Sequence, residues 1–309
     1  MSPAVSPPAR TSSPETGGPR RAVVYGLSKR GFFSEVNMLV CNYAFALAAS
    51  EDFYLDDERF IAPWANLFVS PLRSRRDLDP DRYDRVAVSD LKAGEKEWRR
   101  RRQWVIEACE EERRARIESL AFEGTWRELL FLVSKVLFQP AQAIVDLAQS
   151  KQAELGLEPG RFCAVHVRRG DKTQGKIRNG VHFAEGEAIP FQAYVDALAR
   201  LAPGTRRIFM MTDDHREVLA ARRDHPELEI LTLCPPEEGG YHQERYREMS
   251  EKARRQAVWR LMAETLIAAR SQAFAGLYLS NVSLMLTALH PRPELCVSVD
   301  SQVDWLPVR

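Results

Sequence analysis

The sequence predicts an α/β protein whose C-terminal half is a doubly wound parallel sheet. Apolar runs of strand length alternate with helical segments from residue 156 onward. Each of these runs is apolar on both faces, as expected of strands covered by helices above and below. Three of the runs also end in polar clusters, "HVRRGDK", "MMTDDH" and "LYLSNVS". An open parallel sheet presents its ligands at that carboxyl edge.

The 309 residues, 45% of them hydrophobic, are enough for two cores of ordinary size. Basic and acidic residues nearly cancel, for a formal net charge of +1, so the strongly basic footprint of a dedicated nucleic-acid or membrane-surface protein is missing. The five cysteines (41, 109, 163, 234 and 296) are odd in number and contain no CxxC pair. They read as small buried apolar residues in a reducing compartment. No stretch of ~18 apolar residues predicts a membrane span. Residues 1–20 have the Pro/Ser/Thr/Gly composition of a disordered leader and lack the apolar centre of a signal peptide. A cytoplasmic protein is the resulting expectation.

Two domains follow the leader, over residues 21–155 and 156–309, with "GLEPG" as the boundary turn. In the first, "AVVYGL" is a strand and "FSEVNMLVCNYAFALAAS" a helix with Ser34 as its N-cap, and "FYL" begins a second strand. Residues 77–118 are densely charged and predict a solvated helix with i,i+4 ion pairs, in preference to a nucleic-acid patch. Residues 126–155 give one or two helices, broken at Pro140. In the second domain "RFCAVHV", "RRIFMMT", "ELEILTL", "AFAGLYLS" and "ELCVSV" are strands. The helices between them are "PFQAYVDALARL", "HREVLAARRDH", "SEKARRQAVWRLMAETLIAAR" and "SLMLTALH".

If that sheet forms, His166, Arg168, Arg169, Asp171, Lys172, Asp213, Asp214, Ser280 and Asn281 share its carboxyl edge. These types suit a nucleotide diphosphate. Guanidinium groups offer planar forks of donors to phosphate oxygens, each charge-assisted bond contributing about 1.5–3 kcal/mol. The strand-to-helix passage at Ser280 and Asn281 offers backbone N–H groups at a positive dipole end. Arg168–Asp213 and Arg169–Asp171 equally suit structural ion pairs closing a sheet edge. Neither GxGxxG nor GxxxxGK[ST] is present, and the six histidines show no metal-ligand spacing, so no metal cofactor is expected.

"HVRRGDK" resembles the HxRRxD signature of the GDP-fucose-dependent fucosyltransferase superfamily. The segments around "YVDALARL", "RRIFMMTDDH" and "GGYHQERYREMSEKARRQAVWRLMAETLIAARSQAFAGLYLSNVSLML" are most similar to the α1,6-fucosyltransferase and nodulation fucosyltransferase family. That resemblance implies a GT-B-like fold of two Rossmann-like domains facing a cleft. It implies metal-independent, inverting transfer of fucose from GDP-fucose to a glycan or other hydroxyl acceptor. Arg168 would then hold the β-phosphate and His166 the guanine, with Asp171 and Lys172 in support. Asp213 and Asp214 would lie beside the nucleotide, and Ser280 with Asn281 would face the pyrophosphate. Tyr194 matches a tyrosine of the helix after the motif. An acidic residue before that helix maps to Glu187, with Glu185 as the alternative, and Glu187 or Lys172 would assist deprotonation of the acceptor. The family's acidic guanine partner falls near Gln272, which leaves a different nucleotide sugar open. A non-catalytic carbohydrate- or RNA-binding module is the alternative from another class.

Overall fold

The computed structural model describes residues 20–90 and 126–300, apart from residues 30, 49, 70–71, 171–175, 179–180, 184–187 and 278–279. The chain divides into two compact units. In the first, strands β1 (Arg21–Gly26), β2 (Asp52–Asp56), β3 (Arg73–Ser74) and β4 (Arg85–Asp90) form a parallel sheet in the order β3-β2-β1-β4. Helix α1 (Phe32–Ala48) links β1 to β2, and its residues through Asn37 belong to the second unit. Ser34 lies inside its first turn and not at the cap. The buried Phe32 and Phe33 draw the helix start forward, and the Gly31 carbonyl accepts the first helical bond from Glu35 N–H at 3.2 Å.

The charged stretch also departs from expectation. Residues 85–90 form β4, whose β-branched Val86 and Val88 pair with Ala22 and Val24 of β1. The rest of that stretch, from 91 on, lies outside the described residues. Helices α2 (Trp126–Leu137) and α3 (Gln142–Glu154) are separated at Pro140, as its missing N–H and fixed φ require. The continuous part of the second unit begins at Pro140, earlier than the boundary expected after residue 155. The cause is packing: Ala148 of α3 is buried in the second unit's core.

That unit contains β5 (Cys163–Val167), the antiparallel pair β6 (Lys176–Arg178) and β7 (Val181–Phe183), α4 (Phe191–Leu201) and β8 (Arg207–Thr212). It continues with α5 (His215–Asp224), β9 (Glu229–Leu231), α6 (Gln243–Glu248) and α7 (Glu251–Ala268). Strand β10 (Phe274–Gly276), α8 (Asn281–Leu289) and β11 (Cys296–Ser298) complete it. Five strands pair in parallel in the order β11-β10-β5-β8-β9. All five residues of β5 are buried, which is why "CAVHV" shows no polar alternation. Cys163, Val165 and Val167 face the layer containing Tyr194 of α4 and Val218 of α5. Phe162 and Ala164 face the opposite layer, with Ala263 and Ile267 of α7. Each such fully buried large side chain contributes roughly 1.5–3 kcal/mol.

The chain runs outward from β5 to β8 and β9, then returns to the other side of β5 as β10. The reversal opens a crevice between β5 and β10, at the edge where ligands bind in open sheets of this kind. Among the described residues, no helix is long and apolar enough to cross a membrane.

Candidate functional site

His166 shares the α7 face of β5 with Phe162 and Ala164, at the reversal crevice. Its Nδ1 lies 2.9 Å from Ser283 Oγ and 3.2 Å from Ser280 Oγ. Ser283 Oγ already accepts the Leu277 N–H at 3.2 Å, which leaves its own proton for Nδ1. The hydrogen-bond pattern thereby assigns the ring hydrogen to Nε2. Burial, aided by the charge of Arg168, lowers the His166 pKa to about 3, so the ring is neutral at working pH. Gly276 makes this approach possible, because a Cβ there would lie 2.6 Å from Ser283 Oγ.

Ser280 stands at the N-cap of α8 but makes no side-chain cap bond, its hydroxyl being turned toward His166. The first turn of α8, which carries the positive end of the helix dipole, therefore lacks the usual cap from its N-cap side chain. Asn281 is the first helical residue. Its carbonyl and Oδ1 accept from Asn37 Nδ2 at 2.9 and 3.1 Å, so its side chain is committed to fixing the helix start.

Arg168 leaves the end of β5 on the His166 side and pairs with Asp213, just beyond β8. Asp213 is a junction. Its carboxylate also accepts Arg169 N–H at 2.7 Å and Tyr241 N–H at 3.0 Å, and its carbonyl accepts Gly240 N–H at 2.7 Å. The Tyr241 ring lies under the guanidinium, with Arg168 Cζ 4.8 Å from the ring centroid.

Other expected site residues serve the scaffold. Arg169 turns into the α4/α5 layer, donating to Glu217 Oε2 at 2.8 Å and the Ile189 carbonyl at 2.9 Å. Strand alternation sends it to the face opposite Arg168. Asp214 caps α5, accepting Arg216 N–H at 3.0 Å and pairing with the Arg216 guanidinium, which holds its carboxyl below the usual carboxylate range. Tyr194 is fully buried in the core on that same far face, stacked on Phe191 at 6.4 Å, and so does not reach the crevice. Gln272 is displaced furthest. Its N–H bonds the Phe162 carbonyl at 2.7 Å, and its Oε1 lies 3.4 Å from Thr205 Oγ1, which puts it at the amino edge of the sheet. The structure thus brings together His166, Arg168, Asp213, Ser280 and the N-terminus of α8. Asp171, Lys172, Glu185 and Glu187 lie outside the described residues.

Two residues were missed in the sequence. Tyr241 is signalled only by the glycine pair before it in "GGY". Glu264 lies in "MAETLIAA", a segment with no outward sign of chemistry. It is buried, and its Oε1 has no hydrogen-bond partner among the described residues. Burial raises its pKa to about 7 against the partial opposition of Arg260. Arg260 in turn bonds Glu238 at 2.8 Å, in the segment that leads to Tyr241.

The first unit has a polar cavity of about 310 Å³ at the carboxyl edge of β2, lined by residues 55–58 and 74–76. Arg75 bridges it to Asp56 at 2.5 Å.

No protein-family model matches the chain, and no curated protein matches it in sequence. Its fold is similar to that of solved fucosyltransferases. A point mutant of Arabidopsis thaliana FUT1 in complex with GDP superposes with a TM-score of 0.55 at 8% identity, covering 92% of this chain and 71% of that one. POFUT1 in complex with GDP gives 0.51 at 12% identity, over 91% and 99% of the two chains. The fucosyltransferase NodZ from Bradyrhizobium gives 0.50 at 14% identity, over 88% and 94%. The two parallel sheets and their helices are the α/β, GT-B-like fold of those fucosyltransferases.

Proposed function

We propose that the protein is a glycosyltransferase that moves fucose from GDP-fucose to a hydroxyl acceptor. The observation that carries this reading is Arg168, held by Asp213 at the carboxyl edge of the second unit beside the uncapped N-terminus of α8. Displacement at the anomeric carbon leaves negative charge on the departing diphosphate. A fixed guanidinium and the N–H groups at the start of α8 stabilise that charge as it grows, which allows departure without a metal. Neutral His166, with its ring hydrogen on Nε2, is a donor suited to a nucleobase carbonyl.

Glu264 replaces Gln272 as the acidic partner of the base. In its ionised form this carboxyl offers two acceptor oxygens to the paired N1–H and N2–H donors of guanine. Gln272 lies at the far edge and gives no support to another nucleobase. The fold likeness to proteins solved with GDP agrees with this choice. Acceptor binding falls to the first unit, whose edge cavity offers both carboxylate and guanidinium partners for sugar hydroxyls. Inversion at the anomeric carbon, with Glu187 or Lys172 as the base, completes the mechanism.

The test is calorimetric titration of the full chain with GDP and with UDP, with chelator present, for the wild type and Arg168→Ala. Losing one charge-assisted phosphate bond weakens GDP about 10- to 150-fold. Equal GDP affinity in the two proteins, or preferential binding of UDP, overturns the assignment.

A further inference from the structure

We propose that Tyr241 is a positioning residue for Arg168, setting the guanidinium plane before the donor diphosphate arrives. This rests on the donor-site reading above and adds a residue to it. Residues 239–241 form a segment laid against the end of β5 by two glycines. Gly170 has φ of 63°, and a Cβ on it would lie 2.3 Å from the Tyr241 carbonyl oxygen and 2.6 Å from its nitrogen. Gly240 has φ of 105°, and its own Cβ would lie 3.1 Å from Gly170 Cα. Only bare backbone on both sides permits this approach. Gly239 bridges Asp214 in antiparallel fashion, and Asp213 accepts the next two N–H groups, at Gly240 and Tyr241.

The segment therefore has one register, which carries the Tyr241 ring to the face of Arg168. Tyr246 supports that ring, the two centroids being 5.4 Å apart. Arg168 is fixed in two independent directions. Asp213 holds one edge of the guanidinium, and the negative face of the Tyr241 ring holds its plane. An arginine has many rotamers to lose on binding a ligand, and one already oriented loses fewer.

The experiment compares Tyr241→Phe and Tyr241→Leu with the wild type and Arg168→Ala, in the full chain. Calorimetry with GDP is combined with kcat and KM for GDP release from GDP-fucose and with thermal melting. Tyr241→Phe keeps the aromatic face and should stay within about twofold of wild type. Tyr241→Leu keeps apolar cover but not the face, and should weaken GDP and lower kcat by roughly 3- to 30-fold at unchanged melting temperature. Rescue by Phe and not by Leu is the signature that a purely structural tyrosine does not give. If Tyr241→Leu fails to fold, phenylalanine analogues of increasing ring fluorination at position 241 preserve shape while draining the face of negative potential. GDP affinity should then fall stepwise with fluorine number. Tyr241→Leu, or the fluorinated series, binding GDP as tightly as wild type while Arg168→Ala binds weakly overturns the proposal and leaves the donor site standing. If Arg168→Ala also binds normally, the donor site itself is wrong.

Discussion

Acidification isolates the buried imidazole. His166 has a pKa of about 3 in the folded protein, against 6.5 for an unperturbed histidine. Its folded pKa is therefore depressed, and between those values the unfolded chain takes up a proton that the native crevice refuses. Stability from this group is complete above about 6.5 and is lost progressively as pH falls toward 3. At 1.36 kcal/mol per unit, the loss is about 2 kcal/mol at pH 5 and about 3 kcal/mol at pH 4. Other carboxylates and histidines also titrate in this range, so the comparison must be with His166→Gln, which is neutral throughout. Urea unfolding at pH 8, 6 and 5 gives the difference in free energy between the two proteins at each pH. Wild type should hold an advantage at pH 8 from the Ser280 and Ser283 contacts, and should lose about 2 kcal/mol of it by pH 5. A difference that stays constant across the three conditions would refute the burial of a neutral ring at this position.

Glu264 behaves in the opposite sense. Its pKa rises from 4.5 to about 7 on folding, so native stability falls as pH climbs through that window, by about 3 kcal/mol in all. The stability of Glu264→Gln relative to wild type should therefore rise by about 2.5 kcal/mol between pH 5 and 8, and a difference that stays constant would exclude a buried protonated carboxyl. Gly170→Ala drives a methyl group into the Tyr241 backbone at a positive φ. About 1–3 kcal/mol of stability should disappear in urea titration, together with most GDP affinity, because residues 239–241 can no longer seat against Arg168.

The second unit was legible because its strands are short, apolar on both faces and separated by helices, which leaves few alternative topologies. "CAVHV" and "RIFMMT" mark β5 and β8 directly, and the polar clusters after them mark the carboxyl edge. What the sequence conceals is direction. A strand end such as "HVRRGDK" does not reveal which arginine turns inward, since that depends on whether Glu217 or Asp213 waits on each face. Gln272 was misplaced because β10 is only three residues long. A position just before so short a strand lies at the amino edge of the sheet, where its N–H bonds the Phe162 carbonyl. Glu264 leaves no mark because a glutamate on a long helix is expected to be solvated. Only packing shows that it is buried.

The paired arginines illustrate how a sheet edge carries concentrated charge without repelling itself apart. Side chains alternate across a strand, so neighbours 168 and 169 point to opposite faces. Arg169 is consumed by the scaffold, its guanidinium bonded to Glu217 and the Ile189 carbonyl. Glu217 is 27% exposed, so breaking this partly buried pair costs less than the about 3–5 kcal/mol of a fully buried one. The Arg169 main-chain N–H, however, donates to Asp213, the carboxylate that pairs with Arg168. One residue thus ties the helix layer on one face to the anion-facing group on the other, and the doubled arginine is a brace and a ligand in succession. It follows that substituting Arg169 acts on donor binding only through the placement of Asp213, whereas substituting Arg168 acts on it directly.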